Sequence, residues 1–286
     1  LTLTGSADLY GIGNTLANVL AGNTGNNYLY GLAGNDTITG SIGYDILQGG
    51  DDNDTLSGNA GNSLLDGGNG NDRLIGATEH DLVIGELGND TLTTGTGYDV
   101  ISFNKGDGQD TVAASVGTDN TLSLGGNFVY SDLSLSKSGS NLILKMGATD
   151  QITFSGWYAT TANNKSVLNL QVIAEAMAGF TPGGADTLRD NKVETFNFQN
   201  LVAAFDAAGA PANWQLTDAR LTAHLSGGSD TAAIGGDLAY QYGRNGSLTG
   251  VGLLAAQSVI DNASFGQTAQ TLNSPTTWQA EVVKLA

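Results

Sequence analysis

One aliphatic side chain recurs at every ninth residue across residues 13–102, through ten consecutive units without a gap. Counted from the start of each unit it is the eighth position, filled by Leu20, Leu29, Ile38, Leu47, Leu56, Leu65, Leu74, Val83, Leu92 and Ile101. A single inward residue with outward neighbours at positions seven and nine predicts a strand of three residues. The pattern therefore predicts a solenoid whose coils stack a thin aliphatic ladder.

The six remaining residues of each unit predict a turn. Gly fills the first position in nine of the ten units, with Thr94 in the tenth, and Gly and Asn are frequent at the positions that follow. These residues tolerate positive φ angles. Two strands and two turns make one coil, so the ten units predict five coils stacked over roughly 24 Å, at about 4.8 Å per coil.

Acidic residues recur at the sixth position. Alternate units turn on the same edge, so one edge stacks Asn18, Asp36, Asp54, Asp72 and Asp90, and the other stacks Asn27, Asp45, Ser63, Asp81 and Asp99. Adjacent bare carboxylates about 4.8 Å apart would repel by about 3.5 kcal/mol at an effective dielectric near 20. The pattern predicts divalent cations between the turns. Oxygen ligands in flexible turns, in a chain without Cys, favour Ca²⁺ over Mg²⁺.

The unit at residues 67–75 reads Gly-Gly-Asn-Gly-Asn-Asp-Arg-Leu-Ile and resembles the nonapeptide of repeats-in-toxin (RTX) proteins. The units at 31–39 and 85–93 are close copies. The resemblance implies a mainly β fold, a right-handed parallel β-roll with Ca²⁺ in its turns. It also implies that each ion takes positions two, four and six of one unit and positions one, three and six of the unit after next. Position six supplies carboxylates and the others supply carbonyl groups.

Carried onto this chain, the resemblance implies five ligand sets. Three lie on one edge: Leu32, Gly34 and Asp36 with Gly49, Asp51 and Asp54; Gly50, Asp52 and Asp54 with Gly67, Asn69 and Asp72; and Gly68, Gly70 and Asp72 with Gly85, Leu87 and Asp90. A fourth set on the other edge joins Ala77, Glu79 and Asp81 to Thr94, Thr96 and Asp99. Residues 105–112 resemble the closing turn of an RTX block, and the fifth set would join Glu86, Gly88 and Asp90 to Lys105, Asp107 and Asp110.

Three units depart from the acidic pattern. Ser63 removes a carboxylate from the two sites that it would share with Asp45 and Asp81, so we expect these sites to bind weakly or stay empty. Asn18 and Asn27 leave the first sites neutral on one side, which also predicts weaker binding.

The chain divides by composition into a roll at residues 1–113, a β-rich capping segment at 114–173 and a helical C-terminal domain at 174–286. Alternation at 133–137 and 141–146 predicts a hairpin, and further strands are expected at 151–154 and 167–172. Phe198, Leu201, Val202 and Phe205 have helical spacing. A second helix is expected with Leu221 and Leu225 inward, and two more at 230–242 and 252–262. Residues 264–286 resemble the uncleaved ends of RTX proteins, which implies type I secretion machinery as a partner.

Net charge and hydropathy limit the partners. The formal charge of −18 argues against nucleic-acid binding through phosphates. The sequence has no apolar run long enough to cross a membrane, so no membrane insertion is expected. Because the sequence starts at Leu1 without a signal peptide, it is interpreted as the tail of a larger protein.

The outward positions seven and nine differ between the two expected sheets. We call the first the threonine sheet, with Thr37/Thr39, Thr55/Ser57, Arg73/Ile75 and Thr91/Thr93 outward, and the second the apolar sheet, with Tyr28/Tyr30, Ile46/Gln48, Leu64/Asp66, Leu82/Ile84 and Val100/Ser102 outward. The apolar sheet is too apolar to face water. We predict that the C-terminal part of the chain, or another copy through self-association, covers it.

Catalysis is not expected. The two histidines, His80 and His224, have no nucleophile motif beside them, and metal ligation accounts for the carboxylate pairs. The sequence favours a calcium-binding structural module of a secreted, extracellular protein of adhesin or surface-layer type, folding on Ca²⁺ after export. The alternatives are the export and folding tail of a secreted lipase or protease, or an ice-binding threonine sheet.

Overall fold

The nine-residue repeat folds into two stacked sheets that the chain visits alternately. The structure is a computed structural model that describes residues 1–115, 117, 119–160, 165–273, 280, 281 and 283–286. Residues 274–279 and 282, part of the predicted export segment, lie outside this description. The strands are, in chain order, β1 (Tyr10–Ile12), β2 (Val19–Ala21), β3 (Tyr28–Ala33), β4 (Thr37–Ile42), β5 (Asp45–Asp51), β6 (Thr55–Ala60), β7 (Ser63–Asn69), β8 (Arg73–Ala77), β9 (Leu82–Leu87), β10 (Thr91–Gly95), β11 (Val100–Asn104), β12 (Gln109–Val112), β13 (Asn120–Gly125), β14 (Leu133–Ser138), β15 (Asn141–Met146), β16 (Asp150–Phe154), β17 (Val167–Val172), β18 (Val193–Asn197), β19 (Trp214–Gln215), β20 (Leu225–Ser229), β21 (Ala232–Ile234) and β22 (Ala269–Thr271).

The strand register confirms the coil length that the repeat predicts. In the apolar sheet Leu29 pairs with Leu47 and Leu47 with Leu65, each step being one coil of two units. The threonine sheet has the same register, with Ile38 beside Leu56. All the eighth-position residues are buried in one core. The strands of both sheets pair in parallel, and each coil places one aliphatic side chain of each sheet inside, so the roll is a parallel β-solenoid. The predicted mainly β fold class is confirmed.

At its far end the roll changes from parallel to antiparallel pairing. The apolar sheet has the order β1-β3-β5-β7-β9-β11-β13-β17-β18-β20, and the threonine sheet has the order β19-β14-β15-β16-β12-β10-β8-β6-β4-β2. The last parallel pairs are β13 with β17 and β12 with β16. The predicted hairpin of β14 and β15 is present. Beneath it Phe154, Trp157 and Phe198 pack edge to face or tilted, which closes the aliphatic core with aromatic side chains.

The described residues form four α-helices near the C-terminal end. They are α1 (Phe198–Ala207), α2 (Asp218–Thr222), α3 (Gly236–Asn245) and α4 (Leu253–Ile260). The four residues predicted to face inward on α1 are all buried. Nowhere in the described chain is a helix both long and apolar enough to cross a membrane.

Two details of the helix prediction were wrong. Leu225 does not lie on a helix: it belongs to β20 and pairs with Phe196 of β18. The third helix starts at Gly236 rather than near Asp230, because Ala232–Ile234 pair with β22. In both places an adjacent strand offers hydrogen-bond partners, and this tertiary pairing outweighs a local helical preference.

The C-terminal part of the chain covers the apolar sheet, which is the first of the two covers expected from the sequence. Ile46, Leu82 and Ile84 are fully buried on the outer face of that sheet. They share a second core with residues of α3, α4 and the last segment: Leu238, Ala239, Tyr242, Leu253, Ala256, Ile260, Phe265 and Leu285. The Glu281 carboxylate accepts hydrogen bonds from the first backbone N–H groups of α4. The threonine sheet by contrast leaves Thr37, Arg73 and Thr91 exposed.

Candidate metal centres

The turns stack on two edges of the roll, and the predicted ligand sets become spatial neighbours. On one edge Leu32 pairs with Gly50 and Gly68 with Glu86 in consecutive coils. The turn at 105–110 continues this edge through a bridge between Gly88 and Gly108. On the other edge the turns at 40–45, 58–63, 76–81 and 94–99 stack in the same way.

Backbone conformation repeats with the sequence. Positions two and four have positive φ in all eight units that start between residues 31 and 94 and in the turn at 105–110. Glycine occupies many of these positions, but Leu32 (φ 88°), Asp52 (φ 76°) and Glu86 (φ 62°) also have positive φ there. Positive φ is uncommon outside glycine and costs about 1–3 kcal/mol. The stacked turns therefore impose one conformation on whatever residue stands there.

Each position-six carboxylate uses one oxygen to hold the coil before it. The backbone N–H of Asp36 donates to Oδ1 of Asp54 at 2.6 Å, and that of Asp54 donates to Oδ1 of Asp72 at 2.7 Å. On the other edge the N–H of Asp81 donates to Oδ1 of Asp99 at 3.0 Å. These bonds form a ladder along each edge that orients the carboxylates without metal.

The second oxygen of these carboxylates is buried and has no hydrogen-bond partner among the described residues. It is the Oδ2 atom of Asp36, Asp45, Asp54, Asp72, Asp81, Asp90 and Asp99. A buried carboxylate oxygen without a donor is costly. Seven such oxygens, repeated from turn to turn, require a positively charged partner at each repeat.

Four of these oxygens meet a second acceptor. Near Gly67, Oδ2 of Asp72 and the carbonyl oxygen of Gly85 both lie within 2.8 Å of the point where a Cβ atom would sit. The same convergence joins Asp36 with Gly49, Asp54 with Gly67, and Asp81 with Thr94. Two acceptors facing one point without a donor suit a cation. The four pairs belong to four of the predicted ligand sets, and glycine at position one leaves their space open.

The fifth predicted set differs. At Gly85 the three nearest atoms all belong to Asp90, and the carbonyl of Lys105 is not among them. Oδ2 of Asp107 accepts hydrogen bonds from the backbone N–H of Asn104 at 2.6 Å and from the Tyr242 hydroxyl at 2.8 Å. The two residues inserted before this turn shift it relative to the others, and the C-terminal domain engages it.

In each of the first two turns, two asparagine residues hydrogen-bond to each other through their amide side chains. Oδ1 of Asn27 accepts from the N–H of Asn23, and its Nδ2 donates back to Oδ1 of Asn23. Asn18 and Asn14 make the same exchange. Positions two and four of these turns do not have positive φ. They therefore differ in shape as well as in charge from the acidic turns.

Position five carries a ladder that the sequence analysis missed. The side-chain oxygens of Asn35, Asn53 and Asn71 each accept the N–H of the position-five residue one coil later. His80 takes this role with Nδ1, which accepts the N–H of Tyr98 at 3.0 Å. The recurrence of Asn at position five was the available signal. In the described chain no three acidic or histidine side chains converge on one point, so metal sites here depend on main-chain oxygens besides carboxylates.

The turn geometry agrees with a comparison of family patterns. A family model for the RTX calcium-binding nonapeptide repeat matches in four copies, at residues 12–47, 32–65, 48–83 and 66–101. Residues 12–101 are RTX calcium-binding nonapeptide repeats. RTX repeats are calcium-binding, and the buried acceptor pairs described above are the residues of this RTX roll that suit such an ion.

Comparisons with whole proteins add little. No curated protein matches the chain. Among solved structures it is similar to the crystal structure of extracellular lipase LipA from Serratia marcescens, with 17% identity, 57% of this chain and 40% of that chain covered, and a TM-score of 0.21. The chain thus spans less than half of that structure, and so weak a similarity carries no argument about activity.

Protonation of the RTX turns predicts an inverted pH dependence when calcium is absent. Burial raises the pKa of Asp54, Asp72 and Asp99 to about 7, whereas an unfolded Asp titrates near 3.9. The folded state therefore binds protons that the unfolded state has lost. Its stability is greatest below about pH 4 and falls as pH rises through about 7. We expect calcium-free protein to be more folded at pH 5 than at pH 8, as measured by circular dichroism.

The control is the same titration in saturating calcium. There, protons compete with the ion for the carboxylates, so acid should weaken calcium binding. A calcium-free β signal that grows with pH would contradict the assigned burial of these carboxylates.

Gly50 should be hard to replace, because its turn stacks closely on the turn of the coil before it. In Gly50→Ala the new Cβ would meet the carbonyl oxygen of Leu32 well inside van der Waals contact, at φ +116°. Gly106 has a similar φ of +110°, but nothing lies within 4 Å of its Cβ position. We expect Gly106→Ala to lower the free energy of unfolding by about 1 kcal/mol from backbone strain alone. Gly50→Ala should cost several times more, as measured by urea unfolding in calcium. Equal losses would contradict the tight stacking of the turns.

Proposed function

We propose that this chain is a calcium-dependent folding module of an extracellular protein of adhesin or surface-layer type. The observation that carries the proposal is the row of buried, unpartnered Oδ2 atoms facing main-chain oxygens in successive RTX turns. Without a cation these acceptors oppose folding. With calcium bound only to the folded chain, each site adds stability by mass action.

Placement of the C-terminal segment supports folding after export. Phe265 and Leu285 are buried against the apolar sheet, and the backbone N–H of Ala286 donates to Oε1 of Gln48. A segment folded onto the roll is hidden from a transport machine. We propose that type I secretion machinery recognises it while the roll is still unfolded in calcium-poor cytosol, and that calcium outside then folds the chain.

A calcium titration tests the folding switch. We expect the chain to be unfolded at submicromolar free calcium and folded near 1 mM, the range in which extracellular calcium modules bind. Circular dichroism and tryptophan fluorescence would report the transition. A chain that is fully folded at submicromolar calcium would rule out a switch set by the difference between cytosol and exterior.

Export needs a separate experiment. In cells that carry a type I exporter, the full chain should reach the medium and a chain truncated after residue 263 should stay inside. Equal export of both would refute the export role of residues 264–286 while leaving calcium-dependent folding intact.

We further propose that the residues of this chain are structural rather than catalytic. Position-six carboxylates hold backbone N–H groups, and Nδ1 of His80 does the same. If the chain were instead the tail of a secreted lipase or protease, the same module would serve a catalytic part. Purified chain should therefore give no turnover of ester or peptide substrates in calcium, and measurable turnover would overturn this assignment.

The threonine sheet is exposed, which supports the proposal that an adhesin or surface-layer protein uses it to contact other molecules.

A further inference from the structure

A cavity of about 180 Å³ lies on the outer face of the apolar sheet, and part of its wall is formed by the turn residues Gly50, Asp51, Gly68, Asn69 and Glu86. It is enclosed on one side by β3, β5, β7 and β9 and on the other by the segment that follows α3 and by the last residue. Oxygen-bearing groups line it, among them Tyr30, Asp66, Glu86, Ser247, Thr249 and Ala286. None of the described residues that line it is basic.

Asp66 is the central acidic group of this cavity. It stands at position nine, where the other apolar-sheet units carry Tyr30, Gln48, Ile84 and Ser102, and only 5% of its surface is exposed. Its Oδ2 accepts from Nε2 of Gln48 at 3.0 Å, while its Oδ1 has no partner among the described residues. Because Asp66 lines the cavity and Gln48 holds its other oxygen, Oδ1 is the atom left to face the space.

Two hydrogen bonds fix the side chain of Gln48, so it cannot further compensate the negative charge of Asp66. Its Oε1 accepts from the Tyr28 hydroxyl at 2.7 Å and from the N–H of Ala286 at 3.1 Å. Its amide NH₂ is thereby turned towards Asp66. The chain end that covers the cavity is held by the same side chain, and Thr249 donates to the main-chain oxygen of Ala286 at 2.9 Å.

Glu86 and Asp51 bring two further carboxylates to the cavity, of which Asp51 accepts a hydrogen bond from Nδ2 of Asn69 at 2.7 Å. No basic group among the described lining residues offsets these three carboxylates. We propose that this cavity binds a calcium ion that joins the C-terminal segment to the roll. The groups that would bind the ion all offer oxygen: the carboxylates of Asp51, Asp66 and Glu86, the hydroxyls of Ser247 and Thr249, and main-chain oxygen. Such a set selects a hard cation, and Ca²⁺ accepts six to eight oxygens with water among them.

Cavity size agrees with a partly hydrated ion. At about 30 Å³ for each water, the space holds a cation with several waters. The site differs from the RTX turn sites because its anchor, Asp66, projects from the outer face of the sheet. The inference rests on the proposed function only in that calcium is available to the folded chain.

The decisive measurement counts ions on the full chain. Equilibrium dialysis at about 1 mM free calcium, followed by elemental analysis, would compare wild type with an Asp66→Asn, Glu86→Gln double variant. The Glu86→Gln change keeps the main-chain carbonyl that the fifth predicted turn set would use. We expect the variant to bind one ion fewer and to keep its β signal. Amide hydrogens of α4 should also exchange faster in calcium. The control is Glu194→Gln, a buried carboxylate of the apolar sheet whose Oε2 has no partner among the described residues and which does not line the cavity. This change should leave the count unchanged.

The outcomes separate this site from the turns. An unchanged count in the folded double variant overturns the cavity site alone, whereas a wild-type chain that binds no calcium overturns the proposed function. Should the double variant fail to fold, crystals of wild type grown with terbium decide the question. An anomalous peak between Asp66 and Glu86 supports the site, and water alone in the cavity overturns it.

Discussion

Removing calcium from the folded protein at neutral pH is expected to unfold the roll, with loss of most of the β signal in circular dichroism. Seven buried Oδ2 atoms would then have no positive partner, and four of them lie beside a main-chain carbonyl oxygen. At one hundred times its dissociation constant, an ion stabilises the folded state by about 2.7 kcal/mol. The four sites with converging acceptors would supply on the order of 11 kcal/mol, which is comparable to the whole stability of a typical domain.

Chelator titration with circular dichroism checks this expectation, and magnesium supplies the control. Mg²⁺ demands octahedral geometry and gives up its waters reluctantly, so it should not restore the signal at the concentration at which Ca²⁺ does. Retention of the full native spectrum in excess chelator would contradict the central role given to the turn sites.

Asp72→Ala is expected to be among the most damaging single changes in the roll. Asp72 belongs to two predicted ligand sets, and its Oδ1 accepts the N–H of Asp54 at 2.7 Å. The change leaves that buried N–H unpaired, at about 1–3 kcal/mol. It also weakens two ions that each contribute about 2.7 kcal/mol under the conditions above. We expect a loss on the order of 5 kcal/mol in urea unfolding, and a higher calcium midpoint.

Ser63→Ala is the matched control for Asp72→Ala. Ser63 occupies the same position of its unit on the opposite edge and is equally buried, but its hydroxyl has no hydrogen-bond partner among the described residues. Its removal should change the free energy of unfolding by less than about 1 kcal/mol. Equal effects of the two changes would show that position six acts by packing rather than by charge.

The nine-residue period was sufficient to predict the coil. Once Leu29, Leu47 and Leu65 must face one core, the strand register and the stacking of alternate turns follow from geometry. The same period predicted which acids become neighbours, because residues one coil apart are adjacent in a parallel sheet. The apolar outer face was also sufficient to predict a cover.

Interactions between different coils or segments were harder to predict. Glycine at position one leaves open the space between two acceptors. That role could be recognised only from the structure, which shows that Oδ2 of Asp72 and the Gly85 carbonyl oxygen point to the same place. The shape of the first turns came from the amide exchange between Asn23 and Asn27, and His80 became an acceptor only because Tyr98 lies one coil away.

The sequence by itself determined the solenoid, its two edges of acidic turns and the need for a covered sheet, because a repeat converts local pattern directly into spatial neighbours. Only the tertiary structure decided which segment covers the apolar sheet, where β20 and β21 replace expected helix, and that Asp66 and Glu86 share a cavity with the chain end. Those contacts join residues far apart in a part of the chain without a period, so their partners depend on how whole surfaces pack.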